Sequence, residues 1–540
     1  MKLWVEVTLE NSLNWVPKVQ GRKAESLRQR DRAAQRFAAP FLSSAPNQYA
    51  FSELLIFVPI GNFFIFQERE SMFESIESTL YPIVCDINTY LSNYILVFLL
   101  IGVGLWYSIK TRFVQLRCFK EGWNSVFGNL SLRGKKQDSG MSSFQALATA
   151  IAAQVGTGNI VGASGAILTG GPGAIFWMWI IAFLGMATIY AEATLAQETR
   201  IVEKDGTVKG GPVYYITTAF KGGFGKFLAG FFAIAIILAL GFFGCMVQSN
   251  SIGSTMQTAF GVPSWIVGIV LVAICAFIFL GGVQRLASVT EKIVPIMAAI
   301  FLLGGLIVLV VRIKYVPATF GMIFKYAFAP NAIIGGGVGA ALKIAISQGA
   351  KRGLFSNEAG MGSTPHAHAL ANVNCPHDQG VVAMIGVFID TFIVLTLNAL
   401  VIISTLYTAG GPLHECGAAA ASTTLGKANL AQTAFGVVFG ESAGNMFVAV
   451  CLFFFAFSTI LSWNLFGKIN VAYLFGKKST VVYTVVALVF IFLGTMMSND
   501  LVWELSDMFN NLMVIPNAIA LFALTGLVVK HASDPNKLQK

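Results

Sequence analysis

The sequence predicts an all-α integral membrane protein of about 11 transmembrane helices, with a 5+5 inverted repeat, two discontinuous helices and one extra N-terminal span. Only 11% of the 540 residues are charged, whereas a soluble domain carries about 25%. Ser139–Ala191 and Phe227–Gln284 contain no Asp, Glu, Lys or Arg, and each is long enough for two spans of about 20 residues. Two apolar segments are also interrupted by polar, glycine-rich sequence, which is typical of discontinuous helices.

Residues 1–71 differ from the rest of the chain. They are basic and polar, and their apolar run Leu54–Phe66 is interrupted by Pro59 and Gly61 and is too short to span a bilayer. No basic region leads directly into an apolar core, so the pattern of a signal peptide is missing. We interpret this segment as a disordered leader, or as an artefact of a start codon placed too early, with Met72 as the native start.

The predicted spans follow from the apolar runs in chain order. They are Asn93–Ile109 (entered from near Asp86), Ser142–Leu168, Ala174–Thr199, Phe227–Gln257, Trp265–Gly282, Ile293–Val311, Ala332–Gly349, Val381–Thr408, Ser442–Tyr473, Thr480–Met497 and Met508–Val529. Strongly basic short loops mark the cytoplasmic side of a membrane. The basic loops 110–136 and 200–226 therefore place the C-terminus in the cytoplasm, and the N-terminus outside if the chain starts near Met72.

The span pattern divides the chain into segments. Residues 86–140 form an extra span and a basic cytoplasmic loop, residues 141–313 the first five-helix repeat, residues 332–530 the second repeat, and residues 531–540 a cytoplasmic tail. Because five is odd, the second repeat is inverted relative to the first. The net charge of +10 lies largely in loops assigned to the cytoplasm, so it does not indicate a nucleic-acid partner.

The two interruptions open the two repeats. One lies at Gly156–Asn159, and the other is predicted near Ser347–Gly353. Alone, the first could be a small-residue seam for helix packing, with Asn159 as an interhelical hydrogen-bonding group. Paired interruptions at equivalent positions of inverted halves instead indicate the binding site of a secondary transporter.

Three motifs carry a resemblance to a known family. They are GTGNI at 156–160, GGPGAIFWMW at 170–179 and RGLFSNEAGMGS at 352–363. Over about Ile87–Val529 the chain resembles the alanine or glycine:cation symporter family. The resemblance implies sodium-coupled uptake of alanine or glycine into the cell, on the inverted-repeat fold first seen in a bacterial leucine transporter. The chain departs from the family pattern at LFGK, residues 465–468. The family has two aromatic residues followed by a glycine and a glutamate at these positions.

A zwitterionic amino acid needs an anion-binding and a cation-binding surface close together. Backbone amides at the start of a half-helix suit its carboxylate, and backbone carbonyls at a helix end suit its ammonium group. Gln248 is either a polar wall of this site or an interhelical hydrogen-bonding group. The predicted substrate-binding residues are Thr157, Gly158, Asn159, Gln248, Ser347, Gln348 and Gly349. Small residues at the site favour alanine, glycine or serine.

Alignment with sodium-coupled relatives of the fold implies an ion site. The resemblance places Na⁺, the expected co-transported ion, against the carbonyls of Ala152 and Val155 and the hydroxyls of Ser458 and Thr459. Capping of the helix backbone is the alternative role of the two hydroxyls. Asn159 is a candidate ligand of a second ion.

Ionisable residues within the spans are functional candidates. We expect Glu192 in a gate or loop ion pair, Asp390 as a candidate partner of Lys343, and Lys351 and Arg352 beside Glu358 in an inner-gate network. His366, His368, Cys375 and His377 are either loop residues or a loose metal cluster. The seven cysteines include no CxxC pair, so we expect neither a disulfide framework nor a zinc site.

Other functions on the same fold stay open at this point. A proton-coupled symporter or an amino-acid exchanger predicts uptake that is indifferent to sodium. A channel needs a continuous polar lining, and a membrane enzyme needs a convergent catalytic set, whereas the interruptions are local and no catalytic residues are predicted. The expected location is the plasma (inner) membrane. The expected partners are a small neutral amino acid and the lipid bilayer, and no obligate protein partner is evident.

Overall fold

The computed structural model describes residues 78–128, 141–204, 206–328, 338–408, 410–414 and 425–533. All of them belong to one compact unit, Phe73–Lys540. The predicted leader, residues 1–71, lies outside the described residues. The described residues are predominantly α-helical, which confirms the predicted all-α membrane architecture.

The helices of the first half begin with α1 and end with α10. Their bounds are α1 Ser78–Lys110, α2 Phe119–Phe127, α3 Ser143–Gln154, α4 Gly158–Gly170, α5 Gly173–Glu198, α6 Pro212–Ala219, α7 Gly223–Phe260, α8 Ser264–Leu280, α9 Gly282–Val311 and α10 Val316–Phe328. Helix α7 contains a π-helical stretch, Ile237–Gly244.

The helices of the second half run from α11 to α18. Their bounds are α11 Val338–Asn357, α12 Pro365–Ala369, α13 Pro376–Leu406, α14 Leu430–Phe439, α15 Glu441–Phe475, α16 Thr480–Gly494, α17 Asn499–Ala523 and α18 Thr525–Ser533. Helix α13 also has a π-helical stretch, Phe388–Leu395.

Seven helices in the described part of the chain are long and apolar enough to cross a membrane. The number of spans rises to nine if each of two bent helix pairs, α3 with α4 and α17 with α18, forms one span. The predicted total of about 11 also needs α8 and α11, so the total and the inverted repeat stay predictions. Helix α17 begins at Asn499, nine residues before the predicted Met508. Hydropathy misses this start because Glu504 and Asp507 face partners inside the bundle.

Short strands fix the start of α3. Met141–Ser142 (β1) pairs in parallel with Ala371–Asn372 (β4), while Ile201–Val202 (β2) pairs with Val208–Lys209 (β3). Ser142 then caps α3, because its hydroxyl accepts a hydrogen bond from the Gln145 amide at 3.1 Å and its own amide donates to Gln145 Oε1 at 3.1 Å. This reciprocal capping box stabilises the first turn.

The first predicted interruption is confirmed. Helix α3 ends at Gln154, α4 begins at Gly158, and the two are bent by 42°. The predicted interruption at Ser347–Gly353 is wrong, because α11 runs without a break from Val338 to Asn357. The chain unwinds only after Asn357. Glu358, Gly360 and Gly362 there have positive φ values of 57°, 97° and 79°. The two glycines adopt them without steric cost, whereas Glu358 is one of the few non-glycine residues with this conformation.

Gly349 serves helix packing within α11. A Cβ atom added there would lie 2.6 Å from Trp177 Cβ and 2.9 Å from the Ala174 carbonyl oxygen of α5. The glycine that suggested unwinding therefore allows close approach of two helices, as small residues do in membrane proteins.

Gly349→Ala is expected to destabilise the protein, because overpacking typically costs about 1–3 kcal/mol. The matched control is Gly321→Ala in α10, where no described residue lies within 4 Å of the added Cβ. That change is expected to leave stability unchanged or raise it by up to about 1 kcal/mol through helix propensity. Thermal unfolding of the purified variants measures both effects, and equal melting temperatures would contradict the close contact.

Candidate functional site

The two unwound segments meet inside the bundle. Gln154 Nε2, at the end of α3, donates a hydrogen bond to the Asn357 carbonyl, at the end of α11, at 2.8 Å. A Cβ atom added at Gly158 would lie 2.9 Å from Ser356 Cα. Although the second interruption begins later than predicted, both interruptions face one buried region.

The first unwound segment is held by side chains from its surroundings. Val155 leaves the helical conformation with φ −81° and ψ 84°. The Gly156 amide donates to Asn159 Oδ1 at 3.0 Å, and the Thr157 amide donates to Gln248 Oε1 at 3.1 Å. Three predicted site residues, Thr157, Asn159 and Gln248, are therefore brought together here.

Two polar groups beside this segment have no partner among the described residues. They are Thr157 Oγ1 and Gln248 Nε2, and both are buried. An unsatisfied buried donor costs about 1–3 kcal/mol, so each such group in a folded protein needs a reason, such as a ligand or an ordered water. A hydroxyl and an amide N–H group are the donors that a carboxylate would accept.

The residues implied as sodium ligands are only partly assembled. Thr459 Oγ1 of α15 donates to the Ala152 carbonyl of α3 at 2.8 Å, and Val155 ends the same half-helix. The Ser458 hydroxyl instead contacts the Phe455 carbonyl at 2.9 Å and Met297 Sδ at 3.4 Å. Ala152 and Thr459 are thus in contact, Val155 follows the end of the same half-helix, and Ser458 faces α9.

Ser347, Gln348 and Gly349 lie away from this region. Gln348 Cβ would be 3.3 Å from a Cβ added at Gly170, the last residue of α4. These residues precede the end of α11 by 8 to 10 positions, which is about 12–15 Å along a helix. Their carbonyls belong to continuous helix, so the structure does not bring them to the meeting point of the interruptions.

Buried carboxylates hold the second unwound segment, and sequence reasoning assigned them other partners. Glu192 of α5 accepts hydrogen bonds from the amides of Gly360 at 3.1 Å and Gly362 at 2.9 Å, and from Asn517 Nδ2 at 2.6 Å. The expected gate or loop ion pair of Glu192 is therefore wrong. Glu358 accepts from Trp463 Nε1 at 2.5 Å and from the Ser363 hydroxyl.

Asp390 joins the two interruptions. Its Oδ1 accepts from Asn159 Nδ2 at 2.6 Å, and its carboxylate accepts from the Ser356 hydroxyl at 3.0 and 3.1 Å. Lys343 instead contacts the Tyr94 hydroxyl at 3.3 Å. The suggested Asp390–Lys343 pair does not form. The sequence around Asp390 could not indicate its actual partners, because they belong to helices that are distant in the chain.

The basic residues of α11 pair with α17 rather than with Glu358. Lys351 Nζ lies 2.9 Å from Asp507 Oδ2, and Arg352 Nη1 lies 3.0 Å from the same oxygen. The Arg352 guanidinium also lies over the Trp503 ring at 4.6 Å. The predicted network with Glu358 is corrected to a buried charged cluster between α11 and α17.

These features define a class of protein. The chain combines apolar helices, two interruptions that meet in the bundle, and unpartnered donors at the meeting point. This combination is typical of a secondary membrane transporter.

Comparison with known proteins gives the family. The model of the sodium:alanine symporter family matches residues 77–540, and the chain belongs to this family. It is therefore a multi-pass membrane transporter and not an enzyme.

Three relatives illustrate the family. The sodium/alanine symporter AgcS of Methanococcus maripaludis is 38% identical over 85% of this chain and 98% of its own. YrbD of Bacillus subtilis, named as a candidate sodium/proton-dependent alanine carrier, is 41% identical over 85% of this chain and 93% of its own. The amino-acid carrier protein AlsT of the same organism is 37% identical over 82% and 90% of the two chains.

Removal of the Glu192 carboxylate is expected to destabilise the second unwound segment. Glu192→Ala leaves the amides of Gly360 and Gly362 without this acceptor, at a cost of about 1–3 kcal/mol for each unsatisfied group. Asn517 Nδ2 keeps only its hydrogen bond to the Gly360 carbonyl. Glu192→Gln keeps one acceptor oxygen and is expected to cost less. Thermal unfolding measures the series, with the exposed Glu203→Ala as control. A melting temperature of Glu192→Ala equal to that of the control would contradict this role.

Proposed function

We propose that this protein couples the inward movement of Na⁺ to the uptake of a small neutral amino acid by alternating access. The proposed substrates are alanine, glycine or serine. The observation that carries the proposal is the pair of unpartnered donors, Thr157 Oγ1 and Gln248 Nε2, at the first interruption. Membership of the sodium:alanine symporter family supports the same substrate class and ion.

The substrate carboxylate binds at the start of α4 in this proposal. Thr157 and Gln248 supply its neutral hydrogen-bond donors, and the positive end of the helix dipole at Gly158 adds favourable electrostatics. No charged side chain is needed for this, so the site accepts the carboxylate without a buried arginine. This is the anion-binding arrangement that discontinuous helices provide in transporters.

Close packing around the interruption supports a small substrate side chain. A Cβ atom added at Gly156 would overlap Thr459 Oγ1 and lie 3.2 Å from Gln248 Oε1. Phe355 lies against Gly158 and packs on two tryptophans, edge-to-face on Trp463 at a centroid distance of 5.6 Å and tilted against Trp503 at 4.7 Å. These aromatic rings leave little room for a substrate larger than alanine or serine.

The ion site of the proposal lies between α3 and α15. Backbone carbonyls at the end of a half-helix are unsatisfied within that helix and carry negative partial charge. Ala152 and Val155 supply such carbonyls, and Thr459 supplies a hydroxyl oxygen that already contacts Ala152 at 2.8 Å. Ser458 joins this set only after a rotation of its side chain away from Met297.

The proposed coupling follows from this position. An ion between α3 and α15 holds the first half-helix against the bundle, next to the donors that hold the substrate. Release of the ion is thereby linked to release of the substrate. We place the protein in the plasma (inner) membrane with its C-terminus in the cytoplasm, from the distribution of basic loops.

Proton-coupled symport or exchange is the alternative function. Glu192, Glu358 and Asp390 are buried beside the interruptions, and none forms an ion pair with a described residue. Ionisable groups in such positions serve as proton relays in other transporters. The name of YrbD includes protons as well as sodium. Alanine uptake into proteoliposomes that is driven by a pH gradient and unaffected by sodium would favour this alternative.

Gln248→Ala is expected to raise the KM for alanine about 10- to 100-fold, because a hydrogen bond to a charged group contributes about 1.5–3 kcal/mol. Sodium-driven uptake of labelled alanine into proteoliposomes measures this effect. The control is Gln257→Ala, which changes an exposed glutamine of the same helix. An unchanged KM would remove Gln248 from the substrate site and restore its alternative role in helix packing.

Thr459→Val is expected to raise the sodium concentration for half-maximal uptake about tenfold, because it removes one oxygen ligand while keeping the side-chain shape. Ser462→Ala is the matched control, since the Ser462 hydroxyl donates to the Thr149 carbonyl at 2.9 Å between the same two helices. Sodium titration of alanine uptake distinguishes the variants. Equal shifts in both would show that Thr459 acts only in helix packing.

A further inference from the structure

The histidines and cysteine that suggested a loose metal cluster are dispersed in the fold. His366 Nε2 shares a hydrogen bond with Asn470 Nδ2 at 2.8 Å, and His368 Nδ1 shares one with Gln379 Nε2 at 2.8 Å. The Cys375 thiol donates to Asp378 Oδ1 at 3.1 Å. These residues do not form a common site, and His377 has separate surroundings.

His377 instead meets two residues from a distant part of the chain. His377 Nε2, in the first turn of α13, lies 3.2 Å from Glu121 Oε1 of α2. Cys118, immediately before α2, completes the group, and one ligand atom from each of the three residues lies within 4.8 Å of the other two. A thiol, a carboxylate and an imidazole thus converge at one point.

We propose that Cys118, Glu121 and His377 bind a divalent transition-metal ion, with Zn²⁺ the best fit. Sulfur, nitrogen and oxygen ligands of these types are those that zinc takes in proteins, at about 2.0–2.3 Å. Tetrahedral geometry at those lengths places ligand atoms about 3.3–3.6 Å apart. The ligand atoms, all within 4.8 Å of one another, reach these separations with movements of about 1 Å, and a water molecule would complete the fourth position.

The surroundings orient the imidazole for this role. Tyr190 Oη of α5 shares a hydrogen bond with His377 Nδ1 at 2.7 Å. In the tautomer with the proton on Nδ1, this contact directs the Nε2 lone pair toward Glu121 and Cys118. Such an outer hydrogen bond to the second ring nitrogen is a regular feature of metal-binding histidines.

An ion can reach the site from the surface. The Glu121 side chain is 51% exposed, whereas the His377 side chain is 2% exposed. Glu121 lines an open depression with Lys120, Asn124 and Ser125, so its carboxylate is free to adjust while the imidazole stays fixed. Because zinc takes cysteine as the thiolate, metal binding releases the Cys118 thiol proton to solvent.

The metal would join two parts of the fold that are distant in sequence. Helix α2 packs closely on α13, since a Cβ added at Gly122 would lie 2.6 Å from the Val381 carbonyl oxygen. The same end of α13 contacts α3, where the Ser143 hydroxyl lies 2.8 Å from Gln379 Oε1. The ion would hold α2 against the elements that flank the first half-helix.

The test is metal binding by the full-length protein in detergent after treatment with a chelator. Zn²⁺ is titrated in competition with a fluorescent zinc indicator, and Co²⁺ replaces it to report a thiolate ligand through its charge-transfer absorption. One ion per chain is expected. Cys118→Ser, Glu121→Gln and His377→Ala are each expected to weaken binding at least about 10- to 100-fold, since even the loss of an outer partner has effects of this size.

Cys375→Ser is the matched control, because Cys375 lies two residues from His377 but contacts Asp378. Its affinity for Zn²⁺ is expected to equal that of the unchanged protein. Absence of binding, or binding unaffected by Cys118→Ser and Glu121→Gln, would leave only the contact between His377 and Glu121 and overturn the proposal. If His377→Ala does not fold, the Zn²⁺ affinities of the Cys118→Ser and Glu121→Gln variants test the proposal. Binding is measured without transport, so this result is independent of the proposed function.

Discussion

The structure depends on one constraint: polar backbone that leaves the helical conformation at membrane depth must find its partners within the protein. Among the described residues, the segments that follow Gln154 and Asn357 leave it, and they lie against each other through the hydrogen bond from Gln154 Nε2 to the Asn357 carbonyl. Each stretch is then held by side chains from other helices. Gln248 and Asn159 hold the first, and Glu192 accepts from two amides of the second.

This constraint also explains the buried carboxylates. Glu192 and Asp390 would be costly in a bilayer as isolated charges, yet neither has a basic partner among the described residues. Their oxygens accept instead from amides, hydroxyls and asparagine side chains, as with Asn159 and Ser356 around Asp390. Several neutral donors thus replace the water that these carboxylates would bind outside the protein.

The ion pairs of α11 lie apart from these carboxylates. Lys351 and Arg352 are in the helical part of α11, before it unwinds, and share Asp507 of α17. The meeting point of the interruptions therefore contains unpartnered neutral donors and a carboxylate, Asp390, that neutral donors hold. The basic residues pair with Asp507 outside it. This separation leaves the unpartnered Thr157 hydroxyl and Gln248 side-chain amide as the groups that the proposed site offers to a substrate.

The sequence by itself determined the membrane class, the helices and the first interruption, because apolar length and the Gly156–Asn159 pattern are local properties. It also paired Ala152 with Thr459, through resemblance to a known family. Tertiary structure decided where the second interruption lies, because a glycine such as Gly349 signals unwinding or close packing equally well until its neighbour is known. It also decided the partners of Glu192, Asp390 and Cys118, since contacts between residues far apart in the chain have no periodic signature.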